Sequence, residues 1–171
     1  MSSDYSFDLV SEIDLQELTN ALDQTRKELA VRYDFRGIPT EIKFDSNSPK
    51  GAPSGLVITT ADEFKLKAVR DILESKLLRR NLSLKILGVP KNESASGGQI
   101  RSTIPLVSGI SADKAKVVNK MIRDAFPKSK TQIQGETVRV VSKSIDDLQA
   151  IMQLVKSSPI VDFPVQFENY R

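Results

Sequence analysis

The segment Arg32-Tyr33-Asp34-Phe35-Arg36 is the most distinctive mixture of charge and aromaticity in the chain. Guanidinium groups meet phosphate oxygens in a planar fork and rings stack on bases, so Arg32 and Arg36 with Tyr33 or Phe35 have the chemistry to hold a nucleotide. The same residues suit packing, with Phe35 plugging a core and Asp34 partnering an arginine. At a junction between helix and strand, packing is the preferred reading. A second set lies on alternating strands. Ile133, Val138 and Val140 fall on one face of a hairpin, which puts Gln132, Gln134, Thr137, Arg139 and Val141 on the other, and Arg101 and Thr103 alternate in the same way. Gln and Arg offer donors to base edges and phosphates, so Arg101, Gln132, Gln134 and Arg139 form a candidate nucleotide platform, set against the plainer reading of a solvated sheet face.

Other chemistry is scarce. The 171 residues include no His, and no Cys, which removes Ser-His triads, thiolate nucleophiles, Cys/His zinc sites and disulfides. The acidic pairs Asp62-Glu63 and Asp146-Asp147 both fall in the first turn of an expected helix, where carboxylates favour the macrodipole, so capping accounts for them better than catalysis does. Ser94-Ala-Ser-Gly-Gly98 carries glycines but leads into a strand and fits neither phosphate-loop pattern, so it reads as a linker. Aromatic residues are 6% of the chain and no RNA-recognition signature is present; Phe163, Val165 and Phe167 share a face and read as core. No enzyme activity, metal or cofactor is expected.

These residues need elements to position them. Composition is that of a folded protein, 39% hydrophobic and 27% charged, of one domain or two small ones. Residues 1–93 hold 14 basic and 15 acidic side chains and residues 94–171 hold 11 and 7, so the basic excess lies in the C-terminal half. No apolar run approaches the ~20 residues that span a bilayer and the N-terminus lacks a secretory pattern, so a cytoplasmic, membrane-free protein is expected. Periodicity predicts a strand at Ser6 to Ile13 and a helix from the capping box Asp14-Leu-Gln-Glu17 to about Tyr33 with Leu15, Leu18, Leu22, Thr25 and Leu29 inward. A strand at Thr40 to Asp45, a loop from Ser46 to Gly55 and a strand at Leu56 to Thr60 follow. A second capping box, Thr60-Ala-Asp-Glu63, opens a helix with Phe64, Ala68, Ile72, Leu73 and Leu77 inward, and Leu82 to Ile86 reads as a strand. After the polar stretch Lys91 to Gln99 the order begins again: strand Ile100 to Val107, helix from Ser111, hairpin Lys130 to Lys143, helix from Ser144, strand Phe163 to Asn169. Strand, helix, strand, strand, helix, strand therefore occurs twice, which predicts an α+β protein of two tandem ferredoxin-like (βαββαβ) domains, residues 1–92 and 93–171, each an antiparallel sheet with helices on one face.

The residues also resemble a family. Ser6-Phe-Asp-Leu-Val-Ser-Glu-Ile-Asp-Leu-Gln-Glu17, Arg32-Tyr-Asp-Phe-Arg36, Gln132-Ile-Gln-Gly135 with Val138-Arg-Val140, Asp146-Asp-Leu-Gln-Ala-Ile-Met152 and Gln166-Phe-Glu-Asn-Tyr-Arg171 are similar, in order and across essentially the whole chain, to the signature segments of the bacterial YajQ family. The resemblance implies two ferredoxin-like domains that exchange their first strands, Ser6 to Ile13 pairing in the C-terminal domain and Ile100 to Val107 in the N-terminal one. It implies a nucleotide ligand, cyclic-di-GMP for some members, a protein partner in transcription regulation, RNA association, and no catalysis. At Pro105 and Val107 family members more often carry polar or lysine residues, so a lysine contact to phosphate on that strand is not expected here; the Asn47 to Gly55 loop also looks longer than usual.

The expectation is thus a non-enzymatic nucleotide-binding protein, responsive to cyclic-di-GMP or ATP/GTP and acting through a partner, with the ligand on a sheet face or between domains. The alternative is an RNA-binding or chaperone-like module that uses the basic C-terminal half.

Overall fold

The structure is a computed structural model and describes residues 4–45 and 53–171. Most of the Ser46 to Gly55 loop, including the comparison of its length, lies outside the described residues. The protein is α+β, with helices α1 (Leu15–Val31), α2 (Glu63–Arg79), α3 (Ala112–Ala125) and α4 (Ile145–Ser157). Strands β1 (Tyr5–Val10), β2 (Glu41–Phe44), β3 (Gly55–Thr60), β4 (Lys91–Ser94), β5 (Ile100–Pro105), β6 (Lys130–Gln134), β7 (Thr137–Ser142) and β8 (Gln166–Glu168) form two four-stranded antiparallel sheets. No described helix is long and apolar enough to cross a membrane.

The sheets have the orders β2-β3-β5-β4 and β6-β7-β1-β8. Each contains one strand from elsewhere in the chain. β1 lies between β7 and β8, with Phe7 opposite Val140 and Leu9 opposite both Val138 and Phe167. β5 lies between β3 and β4, with Leu56 opposite Ile104 and Asn92 opposite Ser102. The compact units are interleaved accordingly: residues 13–107 form one, and Ser108–Arg171 with the described residues up to Glu12 form the other.

Helix starts follow local chemistry. Asp14 accepts the Glu17 N–H at 3.1 Å, Asp62 that of Lys65 at 2.8 Å, Ser111 that of Lys114 at 3.3 Å and Ser144 that of Asp147 at 3.2 Å. The cap of α2 is Asp62 rather than Thr60, because Thr60 ends β3 and its hydroxyl bonds that of Thr40 at 2.9 Å. In α2 the inward face is Leu66, Val69, Leu73 and Leu77, and Phe64, expected inward, is 80% exposed. One helical turn of apolar residues fitted two phases of the 3.6 period, and packing selects the one that reaches the sheet.

Within residues 13–107 the core joins Leu18, Leu22 and Phe35 to Ile42, Ile58 and Ile104 on the sheet and to Leu73 and Leu77 on α2. In the other unit, Phe7, Leu9, Val138 and Val140 from the sheet are buried, as are Val118 and Ile122 of α3 and Ile151 and Val155 of α4. Phe163 is buried, and Phe167 packs edge-on against Phe7 with ring centres 5.3 Å apart.

Two stretches differ from expectation. Leu84–Ile86, expected within a strand, is a 3-10 turn capped by Ser83, with Ile86 buried in the core. The strand of that sheet is instead Lys91–Ser94, exposed throughout. An edge strand that pairs on one side needs only its backbone, so it carries no apolar alternation to read. Ser94 to Gly98 is not a linker but the tight connection from β4 to β5: Gly97 and Gly98 take φ of +73° and +76°, and the Ala95 N–H donates to the Gln99 carbonyl at 2.8 Å.

Candidate nucleotide-binding site

Where α1 ends, the chain turns through Arg32 and a 3-10 turn at Tyr33–Phe35 before entering β2. Two features make the turn. Phe35 is 5% exposed and anchors it in the core, and Gly37, at φ +78°, reverses the backbone where a side chain would be strained. Beside this turn is a groove of about 690 Å3, whose walls include Leu29, Phe35, Ile38 and Ile42 with Arg26, Arg32, Arg36 and Glu41. Its volume is that of a small-ligand site, and its walls are part apolar and part cationic.

The cations differ in what already holds them. Arg26 donates to the Ile42 carbonyl at 2.7 and 3.0 Å and to Asp23 at 2.9 Å, which ties α1 to β2. Arg32 grips Asp34 through two hydrogen bonds of 2.9 Å and lies 3.7 Å from Glu28. The hydrogen bond from Arg32 holds the Asp34 carboxyl below its ordinary range, and the same bond raises the arginine. Lys65 reaches across from α2 to the Asp34 carbonyl, with its ammonium 5.0 Å from the Phe35 ring centre. The packing roles read for Phe35 and Asp34 thus describe both residues. Arg36 differs: its guanidinium lies over the Tyr33 ring at 5.7 Å and meets no carboxylate among the described residues. Tyr33 is 84% exposed. A free cation beside an exposed ring is equipped to take a phosphate and stack a base.

Arg101 occupies the open face of the same unit. Its row across the sheet runs Glu41, Thr59, Arg101, Glu93, and it lies 3.7 Å from Glu93. Glu41 belongs both to this row and to the groove wall. In the other unit, Gln132 stands opposite Arg139, Gln134 opposite Thr137, and Arg139 opposite Asp8. Here the cation is engaged. Arg139 donates to the two Asp8 oxygens at 2.9 and 3.4 Å, and Asn169 adds a bond of 2.8 Å. Asp8 is 6% exposed, and its carboxyl is held below the ordinary range by the Arg139 hydrogen bond first and the Asn169 bond second. A phosphate arriving at Arg139 would compete with Asp8.

The six residues singled out in sequence therefore fall into three places. Arg32 and Arg36 share the groove, Arg101 lies on the adjoining face, and Gln132, Gln134 and Arg139 cluster in the other unit. Arg26, Lys65 and Glu41 escaped notice: Lys65 arrives from a helix 31 residues on from Asp34, and Arg26 and Glu41 meet the junction only once α1 and β2 pack together. Only the helical spacing of Arg26, Ala30 and Leu29 hinted at a wall for the junction.

A family model described as nucleotide-binding protein YajQ-like matches residues 5–171. A nucleotide-binding protein of Synechococcus sp. (strain CC9605) is 47% identical over the full length of both chains, one of Roseiflexus castenholzii is 46% identical and one of Trichodesmium erythraeum 43%, again over both full lengths. With a match across nearly its whole length and such relatives, the chain belongs to the YajQ-like family.

Proposed function

We propose that the protein is a non-catalytic nucleotide-binding regulator that holds its ligand in the groove at the end of α1. Arg36 takes a phosphate oxygen and Tyr33 stacks beside it, while Arg32, fixed by Asp34, shapes the wall. The observation that carries this reading is Arg36 itself, a cation with a ring beneath it and no carboxylate to neutralise it among the described residues. Arg101, two strands in from Glu41 and so about 10 Å away at ordinary strand spacing, suits a second phosphate. A dinucleotide such as cyclic-di-GMP, or the phosphate tail of ATP or GTP, carries more than one phosphate and so can use both cations. The names of the relatives support a nucleotide as ligand. The acidic pairs support a role without catalysis, since Asp62 caps α2 and Asp146 and Asp147 occupy the first turn of α4. Occupancy is read out by a protein partner, in transcription by analogy with the family.

A thermal-shift panel of ATP, GTP, cyclic-di-GMP and a short single-stranded RNA, at low and moderate salt, tests this. One nucleotide should raise the melting temperature by several degrees at ~100-fold excess over Kd, and keep that shift as salt rises. No shift with any nucleotide at millimolar concentration would overturn the reading. A second reading has its own observation: Lys116, Lys120 and Arg123 lie on one exposed stripe of α3, with Lys128 and Lys130 exposed just beyond. A response to RNA alone, lost steeply between the two salt concentrations, would favour an RNA-binding or chaperone-like module built on that stripe.

A further inference from the structure

On the helical side of residues 13–107, α1 and the last turn of α2 frame a second groove of about 670 Å3. Its walls are unlike those of the groove at the end of α1. Lys27, Lys76, Arg79 and Arg80 face two carboxylates, Glu17 and Glu28, and Val31 is the one apolar side chain among the residues that line it. Lys76 is paired with Glu28 at 2.9 Å and one guanidinium nitrogen of Arg80 with Glu17 at 3.1 Å. That leaves a surplus. Lys27 and Arg79 make no hydrogen bond or ion pair with any described residue, and the Arg80 Nε is buried without an acceptor. Cations in the last turn of α2 complement its macrodipole, which accounts for Arg79. It does not account for Lys27 on the neighbouring helix, nor for a guanidinium donor left unpaired in a folded interior, where such groups are normally satisfied.

We propose that this groove binds a small ligand bearing two or more linked phosphates, through Lys27, Arg79 and Arg80, at a site separate from the one that holds the nucleotide base. No aromatic side chain lines this groove to stack a base, which favours a purely anionic group. A diphosphate matches the two unpaired cations, and its oxygens can also meet the partly exposed guanidinium of Arg80. The Gln24 and Asn81 amides, also in the lining, add neutral donors. The inference does not depend on Arg36, so the two sites can fail independently.

Titration of the full chain with pyrophosphate, followed by amide chemical shifts, tests the site. Saturable shifts are expected at Lys27, Arg79, Arg80 and Asn81. The double variant K27A/R79A should bind at least ten-fold more weakly with an unchanged melting temperature. ADP in a parallel titration tells the source of the phosphates: tighter binding at the same residues assigns a nucleotide-borne diphosphate, weaker binding a free one. Shifts spread without saturation over all surface lysines, shifts confined to residues 32–37, or wild-type affinity in K27A/R79A would each overturn the proposal. So would tighter binding of a glutamate-rich peptide than of pyrophosphate.

Discussion

Arg36 and Arg139 are both arginines beside a sheet, one in each unit, and they stand in opposite electrostatic settings. Arg139 is held by a buried carboxylate that arrives on β1, from 131 residues earlier in the chain. Arg36 rests on Tyr33, its neighbour three residues back, and meets no carboxylate among the described residues. What separates the engaged cation from the one without a carboxylate is therefore the partner that the topology delivers. Because β1 completes the sheet that contains β7, Asp8 neutralises the Gln132-Arg139 face, whereas β4 brings Glu93 to Arg101 on β5 and leaves the groove at the end of α1 untouched.

The comparison can be broken most forcefully at β1. Phe7 is fully buried and packs on Phe167, so Phe7→Ala should cost about 3–5 kcal/mol in urea unfolding. Amides of β7 and β8 that pair with β1 should exchange faster in the same variant. A loss below 1 kcal/mol would mean that β1 does not complete this sheet.

Next comes the carboxylate. Asp8→Asn should cost about 1–2 kcal/mol at neutral pH, because a charged hydrogen-bond acceptor is replaced by a neutral one in a nearly buried site. The sign with pH follows from the direction of the shift. The Asp8 carboxyl is held below its ordinary value by Arg139 and then Asn169, so its contribution is complete above the unfolded value near 3.9 and is lost as pH falls through the lowered folded value. Urea midpoints should therefore decline less steeply in acid for Asp8→Asn than for the wild type; identical slopes would remove Asp8 from the account.

Smaller effects sharpen the other side. Gly37→Ala places a Cβ at φ +78°, where no neighbour clashes but the backbone is strained, and should cost about 1 kcal/mol by thermal unfolding. Tyr33→Ala, at so exposed a position, should leave the melting temperature unchanged and weaken nucleotide binding about five- to ten-fold, the lower end of the scale of one stacking contact. Unaltered affinity would show that the ring is not part of the site.

Much of this was legible in the sequence. Asp14, Ser111 and Ser144 announce their helices because a cap is a local hydrogen bond between neighbours. The alternation of Phe7 and Leu9 says that they point inward, but not into which sheet, since either sheet offers the same apolar floor. β4 was missed because Lys-Asn-Glu-Ser is held only by backbone pairing at an edge, and Phe64 was misplaced because the apolar residues of α2 fit more than one phase. The cluster from Arg32 to Arg36 stood out by composition alone. That Arg139 is neutralised by Asp8 did not, since register across two distant strands leaves no trace in local spacing.

The most direct test is calorimetric titration of the nucleotide that responds in the thermal-shift panel into wild type, Arg36→Ala and Arg139→Ala. Loss of a charge-assisted phosphate contact is worth roughly 1.5–3 kcal/mol, so Arg36→Ala should weaken binding about ten-fold or more, and Arg139→Ala should stay within about two-fold of wild type. Wild-type affinity in Arg36→Ala together with a large loss in Arg139→Ala would contradict the account and move the site to the sheet face of the other unit.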